Sequence, residues 1–223
     1  MDVAENLSRI RQNIEQACKN SNRNLDEITI IGVTKYVTIE RAKETIEAGI
    51  TNLGENRLEG FLEKHENIQD SASWHFIGTL QSRKVKEVIG KVDAIHSLDR
   101  MSLAKEINKR AAKPVDCFVQ VNVSGEETKH GFVPEDTLSF IRELEVYNNI
   151  RIAGLMTMAP HIDDEEQLRN NFRQLASLRE NIQAENITYA PCEYLSMGMS
   201  NDYQIAVEEG ATHIRIGSDL VGS

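Results

Sequence analysis

Short apolar runs alternate with longer stretches of helical spacing along the whole chain. An amphipathic helix is expected first, over residues 3–20. The run Ile28-Thr29-Ile30-Ile31-Gly32-Val33 then has the length and apolar character of a strand buried on both faces. Residues 39–48 restore a helical period, which Gly49 closes. The cycle repeats. A short strand at 52–54 leads to a helix over 58–65, and a strand at 74–78 leads to a helix over 82–89 that Gly90 ends. A strand at 94–97 leads to a helix capped by Asp99. A strand over 115–123 leads through a polar loop to a helix from Pro134, a residue suited to a first helical turn. A strand at 151–156 precedes the longest helix, 164–185. There Leu168, Phe172, Leu175, Leu178 and Ile182 recur at helical spacing, and Asp163, Asp164, Glu165 and Glu166 put negative charge at the positive end. The last strands, 194–196 and 213–216, flank a helix over 202–209.

Eight strand–helix cycles in 223 residues predict a single α/β domain spanning 1–223, a (β/α)8 TIM barrel with an extra N-terminal helix. A doubly wound open sheet is the alternative arrangement of the same elements. Composition is ordinary for a globular chain, at 40% hydrophobic and 27% charged. The net charge of -10 repels nucleic acid and anionic membranes, so neither is an expected partner. No apolar run approaches the roughly 20 residues of a membrane span, and the N-terminus lacks the apolar segment of a secretory signal. Cys18, Cys117 and Cys192 are far apart, without disulfide or metal spacing, and read as reduced thiols of a cytoplasmic protein. The six histidines have no metal-ligand spacing, and no metal is expected.

In barrels of this kind ligands bind at the C-terminal ends of the strands, and phosphate often binds after strands seven and eight. That rule selects Thr34-Lys35, Gly54-Glu55-Asn56-Arg57, the segment from Ser196 to Asn201, and Arg215-Ile216-Gly217-Ser218. Lys35 follows a wholly apolar strand, where partial desolvation would favour the neutral amine that attacks an aldehyde; the bland reading is a lysine that snorkels to the rim. Ser200, Gly217 and Ser218 offer hydroxyls and backbone N–H groups for an anion, or ordinary helix capping. Arg215 ends a buried strand, so it pairs with a carboxylate such as Glu193 or Glu55, or it addresses a ligand. Lysine, anion cradle and arginine on one face match the aldehyde, phosphate and ring nitrogen of pyridoxal 5'-phosphate (PLP). His75 reads as a satisfied core histidine, Met156-Thr157-Met158 as packing, and the loop 124–131 as solvated.

Seven segments carry a family resemblance: Val33-Thr34-Lys35, Leu53-Gly54-Glu55-Asn56-Arg57, Trp74-His75-Phe76-Ile77-Gly78-Thr79-Leu80-Gln81, Gln120-Val121-Asn122, Gly154-Leu155-Met156-Thr157-Met158-Ala159-Pro160, Leu195-Ser196-Met197-Gly198-Met199-Ser200 and Arg215-Ile216-Gly217. With them the chain resembles the pyridoxal phosphate homeostasis proteins, PLP-binding barrels that share a fold with the barrel domain of alanine racemase. The resemblance implies Lys35 as the Schiff-base lysine, and Ser200, Gly217 and Ser218 as phosphate ligands. It implies Arg215 facing the pyridine nitrogen and Asn56 lining the pocket. Arg83 and Thr38 depart from the family pattern, which usually has Asn and often Pro there, and the C-terminus stops slightly early.

The function so implied is non-catalytic: binding and buffering PLP and delivering it to apo PLP-dependent enzymes. The alternatives are a PLP-dependent amino-acid racemase and a barrel for another phosphorylated ligand. The second domain that alanine racemase uses to bring a catalytic tyrosine and to dimerise is not expected in a chain ending at Ser223, so a monomer is the expectation. Lys129, in the loop after strand five, is a candidate transient acceptor of PLP, alongside its bland reading as a solvated residue.

Overall fold

The computed structural model describes residues 2–126, 130–160, 162 and 164–222. Eight parallel strands close on themselves in chain order: β1 (Thr29–Val33), β2 (Asn52–Glu55), β3 (Ser73–Phe76), β4 (Ala94–Leu98), β5 (Val115–Gln120), β6 (Ile150–Met156), β7 (Tyr194–Met199) and β8 (His213–Ile216). Closure is made by β8 against β1, with Ile31 opposite Arg215 and Gly32 opposite Ile216. This is the expected TIM barrel; the open sheet is excluded. Helices α1 (Val3–Asn20), α2 (Ile39–Glu47), α3 (Leu58–Ile68), α4 (Val85–Val88), α5 (Met101–Arg110), α6 (Pro134–Glu143), α7 (Glu165–Ala184), α8 (Tyr203–Glu208) and α9 (Ser218–Val221) follow the chain around it.

Local chemistry explains the elements. The Asp2 carboxylate accepts the Ala4 N–H at 2.8 Å and caps α1. One stripe of α1, Val3, Leu7, Ile10, Ile14 and Ala17, is buried. Asn6 Nδ2 donates to the Leu220 carbonyl at 3.1 Å and ties this helix to α9. The main apolar core lies between sheet and helices. Phe61 of α3 meets Trp74 and Phe76 of β3 edge-on, at ring separations of 5.6 and 6.2 Å.

Several expected boundaries move. The helix expected over 82–89 is a 3-10 turn, Ser82–Lys84, followed by the short α4, whose Val85 and Val88 are buried while Ile89 packs partly against the core. Asp99 does not cap α5. Arg100 holds the cap position, and the Asp99 carboxylate pairs with its guanidinium at 2.5 Å. The strand expected over 115–123 ends at Gln120, beyond which Val121 makes one isolated bridge to Phe132. The three cysteines are buried and unpaired. Among the described residues no helix is long and apolar enough to cross a membrane, and no cluster of three metal-ligating side chains forms.

Candidate ligand-binding site at the barrel mouth

Strand β1 delivers its chain into a tight turn at the C-terminal end of the barrel. The Val37 N–H reaches back to the Thr34 carbonyl at 3.3 Å, and Tyr36 takes a left-handed φ of 68°. A bulky residue there is strained and needs its surroundings to hold it. The Tyr36 ring has the Lys35 ammonium 5.6 Å and the Arg57 guanidinium 5.1 Å from its centre, an arrangement that favours cations. Lys35 occupies the corner of the turn and is exposed. Its expected desolvation is therefore not found: the turn lifts it clear of the apolar strand. Beneath it, buried Thr34 donates from Oγ1 to Glu55 Oε1 at 2.6 Å.

A cavity of about 630 Å³ opens beside this turn, and Lys35, Asn56, Ser200, Arg215, Gly217 and Ser218 all line it. These are the candidates drawn from the sequence, brought together from β1, β2, β7 and β8. Arg57, selected by its strand end, lines it too, as does Met158, which was expected only to pack and is instead exposed; Gly78 and Gln120 also line it and had not been proposed as site residues. Their signal was position, each near the C-terminal end of a strand. Asn56 Oδ1 is buried without a hydrogen-bond partner, so an acceptor is left for a ligand. Asn56 is fixed from the β3 side by Gly78, where a Cβ would stand 2.3 Å from the Asn56 carbonyl oxygen. The Ser200 and Ser218 hydroxyls are 3.5 Å apart, and Gly217 caps the short α9.

Arg215 is 5% exposed. It pairs with neither expected carboxylate. Glu193 bonds Arg151 at 3.0 Å, and Glu55 bonds Lys64 at 3.1 Å. Arg215 instead donates from Nη1 to Ser196 Oγ at 2.6 Å and from Nη2 to the Thr157 carbonyl at 2.9 Å. Burial pulls its pKa down to about 10, with Asp202 acting the other way, so the guanidinium stays charged at neutral pH. A bulge in β7 sets this geometry: Ser196 faces His213 and Met199 faces Arg215, so β7 spends one residue more than β8. Gly198 absorbs it at φ 93°, where a Cβ would lie 2.6 Å from Ala206. Thr157 thus acts through its backbone, while Met156 is packing, as expected.

His75 is a satisfied core histidine, and it has company: His96 and His213 share the barrel interior with Phe118, on which His96 stacks at 4.1 Å. Burial lowers all three pKa values, His75 to about 4, His213 to about 3 and His96 well below the ordinary histidine range. Neither departure from the family pattern touches the cavity. Thr38 Oγ1 accepts the Arg41 N–H and caps α2, and exposed Arg83 bonds Gln81. His130 lies 4.0 Å from Asp99, whereas Lys129, Asp163 and Ser223 fall outside the described residues.

The family model for the N-terminal domain of alanine racemase matches residues 6–223. A protein of Aquifex aeolicus named pyridoxal phosphate homeostasis protein is 43% identical over 226 residues, covering all of this chain and 98% of that one. The chain belongs to the pyridoxal phosphate homeostasis protein family. PipY of Synechococcus elongatus, solved with PLP bound, superposes with a TM-score of 0.86 at 28% identity, covering 99% of this chain and all of that one. Alanine racemase of Clostridium difficile superposes over 98% of this chain and 56% of its own, with a TM-score of 0.75. At 17% identity that likeness shows the fold alone.

Proposed function

We propose that this barrel, residues 1–223, binds PLP at its mouth and serves PLP homeostasis by holding the cofactor and passing it to apo-enzymes. One observation carries the reading: an exposed primary amine, a buried charged guanidinium, paired hydroxyls and an unpartnered acceptor all line one cavity. When bound, PLP supplies an aldehyde that condenses reversibly with an amine, an anionic phosphate and a ring nitrogen. Lys35 provides the amine, and its exposed position leaves it accessible to the incoming aldehyde. Ser200, Ser218 and the backbone at Gly217 hold the phosphate. Asn56 Oδ1 accepts a hydrogen bond from the ligand, and Arg215 donates to the ring nitrogen.

The acid–base groups at the mouth, more than this arginine, favour a carrier over an amino-acid racemase. A guanidinium that stays charged donates a hydrogen bond but gives up no proton, so the ring remains a weak electron sink. Racemisation also needs acid–base groups on both substrate faces, and Lys35 serves one. The protein acts as a cytoplasmic monomer in this reading. The test pairs a visible spectrum of the purified, PLP-loaded protein with a racemase assay on L-alanine and other amino acids. A bound-cofactor band with no turnover is the expected result. Turnover near about 10 per second, typical of enzymes, that is lost in Lys35→Ala would establish the racemase instead.

A further inference from the structure

Polar side chains from five strands touch end to end inside the barrel. His75 Nε2 lies 3.0 Å from Asn52 Oδ1, and His75 Nδ1 lies 2.9 Å from His96 Nε2. His96 Nδ1 lies 2.8 Å from Ser196 Oγ, which receives Arg215 Nη1 at 2.6 Å. With both rings neutral, as their burial favours, only one arrangement of protons satisfies every link. A guanidinium cannot accept, so Ser196 Oγ accepts from Arg215 and turns its own proton to His96 Nδ1. His96 then carries its proton on Nε2 and donates to His75 Nδ1. His75 in turn carries its proton on Nε2 and donates to Asn52 Oδ1, which can only accept. The Asn52 end, a pure acceptor, fixes this direction, and the Arg215 end, a pure donor, agrees with it.

We infer that His75, His96 and Ser196 are positioning residues: they form a one-way hydrogen-bond relay that holds Arg215 in place to donate to the ring nitrogen of PLP. The inference rests on the proposed reading that Arg215 faces that nitrogen. Two anchors, Ser196 Oγ and the Thr157 carbonyl, fix the guanidinium before any ligand arrives, so little side-chain freedom is lost on binding. Donation runs away from the cavity at every link, so the relay delivers no proton to the cofactor. An extra proton on His75 would oppose a donor of His96, and one on His96 would oppose the Ser196 hydroxyl. Burial keeps both rings neutral, in agreement with that order.

The test has two parts. In ¹⁵N-labelled protein without cofactor, long-range proton–nitrogen correlation spectra should show His75 and His96 as Nε2–H tautomers, unchanged between pH 8 and about pH 5.5. In spectrophotometric titrations with PLP, Ser196→Ala should raise Kd about tenfold or more, by loss of a charge-assisted hydrogen bond, and move the visible band. Ser97→Ala is the control, since this buried β4 serine has no hydrogen-bond partner, and its Kd and band should match the parent protein. An Nδ1–H tautomer on either ring overturns the relay. So does a folded Ser196→Ala protein with the parent Kd and band, even if it melts earlier. A parent protein that binds no PLP overturns the proposed function, and with it the role assigned to Arg215, whatever the tautomers.

Discussion

Lys64 Nζ lies 3.1 Å from Glu55 Oε1, and both side chains are almost wholly out of solvent. The same carboxylate oxygen accepts the Thr34 hydroxyl, so the pair sits directly beneath the turn that presents Lys35. A buried ion pair is worth little against an apolar replacement, but breaking one side of it is expensive. Lys64→Met should lower unfolding free energy by about 3–5 kcal/mol, measured by urea denaturation. Lys64→Met combined with Glu55→Gln should recover a large part, because no unpaired charge is left. A double variant whose loss equals the sum of the losses in Lys64→Met and Glu55→Gln would show that the pair is not coupled.

Lys35 is exposed, so Lys35→Ala should keep stability within about 0.5 kcal/mol. The variant should nevertheless lose all covalent attachment of PLP. Borohydride reduction of the loaded protein, followed by peptide mapping, should place the pyridoxyl group on residue 35. Labelling concentrated on another lysine would refute the assignment.

Ser200 and Ser218 face each other across 3.5 Å at the cavity edge. Hydrogen bonds to a charged group contribute about 1.5–3 kcal/mol each. The double variant Ser200→Ala, Ser218→Ala should therefore cut the preference for PLP over pyridoxal by at least about tenfold, with pyridoxal binding little changed. Unaltered discrimination in competitive titrations would remove both hydroxyls from the phosphate site.

Acid should destabilise this barrel early. His75, His96 and His213 have pKa values lowered by burial, to about 4 for His75 and about 3 for His213. The unfolded chain takes up a proton on each ring near the ordinary value of 6.5, whereas the folded chain does not. Stability is held above that pH and lost as pH falls toward the folded values, by up to about 1.4 kcal/mol per pH unit per histidine. Urea midpoints between pH 8 and pH 5 should fall accordingly. His75→Gln should flatten the profile, and a parent protein with level midpoints would mean that the rings are not buried neutral.

The sequence alone determined the barrel and the face that carries the candidate site. Strand and helix periods are local properties, so eight alternating units could be read directly, and the strand ends gave Lys35, Asn56, Ser200, Arg215, Gly217 and Ser218 as candidates that meet in one cavity. Boundaries set by local packing, such as the shortened α4 and the cap of α5, were less legible. What Arg215 touches was decided only by the tertiary structure. Glu193 and Glu55 were plausible partners by charge, but register and the Gly198 bulge put Ser196 and the Thr157 carbonyl there instead. The histidine relay was likewise hidden. His75 and His96 are 21 residues apart and His96 and Ser196 are 100 apart. Periodicity says nothing about contacts across a barrel; those exist only once the sheet has closed and the stagger of its strands has set which inward side chains share a layer.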